Sequence, residues 1–410
     1  TQGQNVAIGS FALTTLDAGG SGNNVAVGYN AGNAMTTGTS NTIVGSTAGD
    51  GLTDKIGNTA IGGGALGGGS AACSYATAVG FGALGSNASS NDLDAAVAIG
   101  AQALYSASSA QENVAVGGYA MKELQTGDGN IAIGLSALQV HTTGSRNIAI
   151  GANAMKDTDG GAITSGSIAT ILASNDNMFI GYNSGSGNWC NGGAAAASEY
   201  NVAVGNWTMD GALQGANRNT CVGYNSLTAI TTGDQNVAVG SGAGEAITTG
   251  SDNIVIGKAA FDANTVGVET IAIGTNALGQ ANQDDNDGSV AIGHNALAGQ
   301  VGAGGAQFAN ANIGIGHTAG AAITTGAGNV AVGYRALNAC TTAGSNTVIG
   351  YDAARLLAGS DNTGTDNTVI GWKAFDAATT NERQNVIIGS GAGGAINSSD
   401  ADDNVLIGHN

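Results

Sequence analysis

The sequence predicts an all-β fold, a parallel β-solenoid (β-roll) of about 21–22 short coils. Three observations lead there. Glycine recurs at one phase, most often every 17 residues. The three residues before each of these glycines alternate large, small, large, as in Val237-Ala238-Val239 and Ile131-Ala132-Ile133. The chain of 410 residues holds 72 glycines and no proline, so every backbone N–H can donate into a strand ladder.

The repeat reads Asn, Val/Ile/Thr, Ala, Val/Ile, Gly, two variable residues, Ala, and often Leu, Met or Gly, with a tail such as Ile-Thr-Thr-Gly. Clear copies begin at Asn5, Asn24, Asn113, Asn130, Asn147, Asn236, Asn253, Asn329 and Asn404. Gly117, Gly134, Gly151, Gly240 and Gly257 are among 22 anchor glycines that run from Gly9 to Gly408. The widest gap between anchors, Gly151 to Gly181, is 30 residues, and the strand motif survives it. Extra residues are therefore loops on a constant scaffold, near 156–177, 185–200 and 300–311. Residues 1–410 read as a single repetitive segment of a longer chain, since the sequence starts without Met and stops in mid-pattern.

Period-2 alternation of β-branched residues marks a strand with one buried face, and five or six residues between glycines are too few for a helix. The half-repeat after the anchor (Gly240 to Gly250) suggests a turn, a second short strand and another turn. Coils stacked at about 4.8 Å would give a rod roughly 100 Å long. Asn at the same phase of successive coils predicts a hydrogen-bonded side-chain ladder. If Val237 and Val239 point inward, Ala238 points outward. The uncharged outer face this implies, and a core of about four apolar residues per coil, call for an obligate oligomer. A homotrimer, intertwined or side by side around a threefold axis, is the expected geometry.

The Asn130-Ile-Ala-Ile-Gly-Leu-Ser-Ala137 unit resembles the head repeats of YadA-like trimeric autotransporter adhesins. The form closed by Thr-Thr-Gly (Asn236 to Gly250, Asn24 to Gly38) is similar to repeats in tailed-bacteriophage tail fibres. The resemblance covers nearly the whole chain. It implies a trimeric β-roll acting as the shaft of a phage tail or side fibre, in the virion or outside the cell. Such a shaft carries a tip to a host cell-surface glycan or protein receptor. A bacterial surface adhesin or extracellular filament is the alternative. The coil here is longer than the roughly 14-residue adhesin repeat.

Composition and charge narrow the partners. A formal net charge of −19 opposes binding to nucleic acid or to an anionic membrane surface, and no apolar run reaches membrane-spanning length. Cys73, Cys190, Cys221 and Cys340 share no metal-ligand spacing. Cys221 and Cys340 occupy slots for small buried residues.

Candidate sites are few, and no catalytic constellation is expected. His294 and His317 follow anchors on neighbouring coils and form a candidate metal pair that lacks an evident third ligand. The same slot holds Tyr334, Tyr351 and Trp372. With Trp189, an exposed-anchor candidate in an inserted loop, they are candidate glycan contacts, although rings there can also cover turn backbone. Asp284, Asp285 and Asp287, and Asp400, Asp402 and Asp403, are dense enough to suggest Ca²⁺ but lack EF-hand spacing. No other cofactor is expected. A polysaccharide-degrading spike would need two carboxylates facing one groove. An ice-binding face would need a regular Thr array, which the often-replaced Thr-Thr pairs do not supply.

Overall fold

The computed structural model describes residues 4–17, 22–68, 73–85, 93–158, 173–189, 196–281, 287–301, 311–357, 364–379, 382–396 and 401–409. The chain divides into two compact units, Thr1–Ala216 and Asn217–Asn410. Each is a parallel β-solenoid, and no helix occurs among the described residues. The first unit contains β1 (Val6–Ile8) to β11 (Val202–Val204), and the second β12 (Thr220–Val222) to β22 (Val405–Ile407).

Every strand is three residues long and pairs in parallel with the next strand of its unit, residue for residue. β13 (Val237–Val239), β14 (Ile254–Ile256) and β15 (Ile271–Ile273) are typical: Val237 faces Ile254, and Ile254 faces Ile271. The widest insertion leaves this register intact. Ile148 pairs with Met178 across 30 residues of chain, between β9 (Ile148–Ile150) and β10 (Met178–Ile180).

The anchor glycines set the pitch. Gly240, Gly257 and Gly274 have φ of +141°, +138° and +133°, a region that side-chain-bearing residues rarely enter. They also stand in a column of backbone contact. A Cβ added to Gly240 would lie 2.5 Å from the Gly257 carbonyl oxygen, and one on Gly257 would lie 2.5 Å from that of Gly274. Conformation and space both exclude any other residue.

The strand alternation is present with the opposite phase to the one expected. Ala238 is fully buried, whereas Val237 and Val239 are each left 36 % exposed. The small residue points into the coil, and the β-branched pair points out of it. Interior width is the cause. The space opposite the strand is filled by a large side chain from the turn, so little room remains for the middle strand residue. At Gly314, a Cβ would already approach Leu297 Cγ to 2.7 Å. At Ile43, the largest aliphatic strand residue in the first unit's core, the opposite wall recedes. Ideal Cβ positions on Gly32 and Gly49 lie only 3.1 and 3.0 Å from Ile43 Cδ1.

The second half of each coil also differs from expectation. It is a run of turns, and among the described residues two isolated bridges, Ser109–Thr126 and Val140–Asp157, lie outside the named strands. Two left-handed residues build the first turn, for example Asn225 and Leu227 at φ +54° and +50°. Left-handed Leu costs about 1–2 kcal/mol. It is held there by burial of its side chain and by a rung in which Leu227 N–H donates to Ala243 O at 3.1 Å. Where glycine takes this position, the core side chain comes three residues later: Gly244 is followed by buried Ile247, and Gly320 by buried Ile323.

Gly240→Ala is expected to lower unfolding stability by more than about 2 kcal/mol. Ser241→Ala, at the exposed neighbour, should stay within about 0.5 kcal/mol of wild type. Chemical denaturation of the two variants checks this.

Candidate functional site

Three side-chain columns run beside the glycine column. The first is the asparagine that opens most repeats, buried except at the two end coils. Asn236 makes every hydrogen bond its amide allows. Its Nδ2 donates to Asn219 Oδ1 at 3.0 Å and to Gly250 O at 2.8 Å. Its Oδ1 accepts from the backbone N–H of Asn253 at 3.1 Å and from Asn253 Nδ2 at 3.0 Å. The side chain thus repeats, one coil at a time, the donor and acceptor pattern of the backbone ladder. Asn113, Asn130 and Asn147 form the same chain in the first unit. Small residues interrupt the runs, with Ala76 and Ala96 in the first unit and Thr270 and Ser289 in the second.

The second column lies six residues before the anchor. Oδ1 of Asp128 accepts the Gln111 N–H at 2.8 Å, and that of Asp234 accepts the Asn217 N–H at 2.6 Å. Asp287 accepts the Val268 N–H at 2.8 Å, and Asp402 the Arg383 N–H at 3.0 Å. Two of the residues read as Ca²⁺ candidates, Asp287 and Asp402, are thereby placed as caps on the neighbouring coil. The second oxygen of Asp402 accepts from Arg383 Nε at 3.0 Å. Asp403 occupies a left-handed turn position, φ +61°, and donates its N–H to Arg383 O. Asp284, Asp285 and Asp400 lie outside the described residues, as do most of the 156–177 and 300–311 insertions and residues 190–195 of the 185–200 insertion. The signal for this column was present in the sequence as a constant offset from the anchor.

The third column follows the anchor directly and is exposed. His294 stacks on His317 with ring centroids 4.9 Å apart and planes 14° from parallel. His317 stacks on Tyr334 at 5.4 Å, and Tyr334 on Tyr351 at 5.0 Å. The two imidazoles are stacked in near-parallel planes, so their nitrogens do not converge on one point. Among the described residues no group of three or more His, Cys, Asp or Glu is placed to hold a metal ion. The inner rings spend their faces on one another, which leaves edges rather than faces for a ligand. Arg335 lies over the Tyr334 ring at 4.9 Å while making two 2.8 Å hydrogen bonds to Asp352. Trp372 is 54 % exposed, with Lys373 Nζ 4.9 Å from its ring centroid.

Trp189 is not an exposed anchor. It is buried, packs against Phe179 at 5.6 Å and donates its Nε1–H to Gly185 O at 3.1 Å. Gly185 stands where other coils carry a core Leu. A Cβ there would lie 2.5 Å from Phe179 Cδ1, so the large Phe179 excludes Leu and Trp189 completes the core from further along the chain.

Burial governs the ionisable groups inside the coils. The Cys73 thiol is pushed up to about 12 and the Cys340 thiol to about 11, both chiefly by desolvation, and Cys221 is raised by the same cause. Desolvation also raises the carboxyls of Asp50, Asp210 and Asp262. At the surface, Arg146 holds the Asp176 carboxyl below its ordinary range through a paired hydrogen bond.

No protein-family model and no curated protein matches the chain.

Asn236→Ala leaves the Gly250 carbonyl and the Asn253 N–H without their partner, and a loss of about 2–4 kcal/mol is expected. Asn236→Asp sets a carboxylate against two acceptor oxygens, so its folded-state pKa rises above the unfolded value of about 3.9. A raised acid loses stability as pH increases through that window. The Asp variant should therefore be markedly less stable at pH 7 than at pH 4, relative to wild type, in denaturation curves at both values. Peptide-mapped alkylation at pH 8 should leave Cys73, Cys221 and Cys340 unmodified until denaturant is added.

Proposed function

We propose that this chain is a structural, non-catalytic segment of an extracellular fibre, the homotrimeric β-roll shaft of a phage tail or side fibre that carries a receptor-binding tip. The observation that carries this reading is the outward face of the strands. Val237, Val239, Ile254 and Ile256 remain 36–39 % exposed, and the same two positions repeat from coil to coil within each unit. Contiguous apolar surface of this kind is characteristic of a surface that meets a partner. A partner that matches an array with the pitch of the solenoid is most simply another copy of the same solenoid. The in-register ladders and the acidic charge suit a stiff spacer, and the Asn-x-Ala-Ile-Gly repeat resembles those used as shafts.

Sedimentation equilibrium tests the assembly and electron microscopy the shape. The expected result is a trimer seen as a narrow rod, and a compact monomeric particle would refute the reading. Val239→Lys with Ile256→Lys, which charges the outward columns without touching the interior, should shift the trimer towards monomer while the β-sheet circular dichroism signal is kept.

A further inference from the structure

The first unit contains a feature that the shaft role does not require. Over four consecutive coils the outer turn surface opens into a hollow of about 330 Å³. Its floor is Gly63 and Gly64, and nothing lies within 4 Å of the place a Gly64 Cβ would take. The Phe81 ring rises on one side, with 69 % of its surface exposed. A Cβ on Gly63 would sit 3.5 Å from Phe81 Cδ2, so the missing side chain lets the ring lie along the coil below. In the same way Gly82 makes room for Tyr105, whose Cε2 would be 3.5 Å from a Cβ there. Ser46 and Gln102 complete the rim.

We infer that this hollow is a binding site for a neutral sugar unit of a polysaccharide. An isolated Phe left open to water at a shallow cavity offers a π face, unlike the interior rings of the His294–Tyr351 stack. One face of a pyranose presents C–H bonds that suit the negative face of an aromatic ring. The rim carries a hydroxyl, an amide and a phenol, groups that can both donate to and accept from sugar hydroxyls. Among the described residues no charged side chain lines the hollow, which disfavours phosphorylated, sulfated or uronic-acid ligands. The volume lies at the low end of the range of about 300–1,000 Å³ for small-ligand sites and suits one or two sugar rings. The inference does not depend on the fibre reading, because a chain of any assembly state would carry the site.

Affinity electrophoresis of the whole chain through gels containing dextran, mannan or xyloglucan, with alginate as the anionic control, tests it. Retardation by at least one neutral polysaccharide is expected. Phe81→Ala removes the platform. Gly64→Asn fills the floor with a residue that tolerates the local φ of +65°. Each should weaken retention at least tenfold at an unchanged thermal midpoint. Tyr105→Phe, which deletes one hydroxyl and no packing, should weaken it about threefold and stands in should either variant misfold. The inference fails if no neutral polysaccharide retards the chain, if alginate alone does, or if the folded variants bind within twofold of wild type.

Discussion

Direct backbone contact between successive coils at the anchor glycines is the constraint on which the rest of each unit depends. Once Gly240 must lie against the carbonyl of Gly257, each coil sits one strand spacing above the last and cannot slide. Equivalent atoms then fall into columns, and a residue type that bonds well to a copy of itself is favoured at each column. Asn does this with an amide that donates and accepts along the same axis. Asp instead accepts a backbone N–H of the neighbouring coil rather than bonding to another Asp. Aromatic rings do it by stacking. The three columns are three answers to one geometric demand.

The same constraint explains how the core tolerates variation. The coil is narrow, and in several coils a large residue on one wall is matched by a small one on the other. Ala in the strand goes with Leu in the turn, and Ile43 goes with Gly32 and Gly49. Phe179 goes with Gly185 and brings in Trp189 from beyond the turn. Cys221 is buried with a thiol held protonated, and so acts as a slightly larger alanine.

Much of this was legible in the sequence, and the illegible part has a definite physical origin. Glycine phase, strand position, parallel stacking and the asparagine ladder follow from recurrence, which needs no knowledge of which way a side chain points. Inward and outward are a different matter, because a period-2 pattern is unchanged when every side chain is exchanged between faces. Hydrophobicity normally breaks the tie. Here both faces are apolar, and interior width decides, a quantity set by Leu227 and its equivalents across the coil rather than by the strand. Trp189 escaped the reading for a related reason: a tryptophan beyond the usual core position looks like loop decoration until the space vacated by Gly185 is known. The aspartates at 287 and 402 looked like ion ligands because their local density was weighed before their phase.

The corrected phase strengthens the case for assembly on different grounds. An outer face of alanine would have offered little area to a partner and only weak apolar gain. An outer face of valine and isoleucine, each more than a third exposed, offers branched side chains at the solenoid's own repeat. Burying apolar area yields about 25 cal/mol per Å², so in the proposed assembly even a small area covered per coil would sum, along a unit, to a large association energy. It does so without any single strong contact. An interface of that kind is hard to disrupt at one position and sensitive to charge at several, because each buried lysine adds its own desolvation cost. In the proposed assembly, periodicity serves twice, once to stack the chain on itself and again to make its surface repeat in step with a second copy.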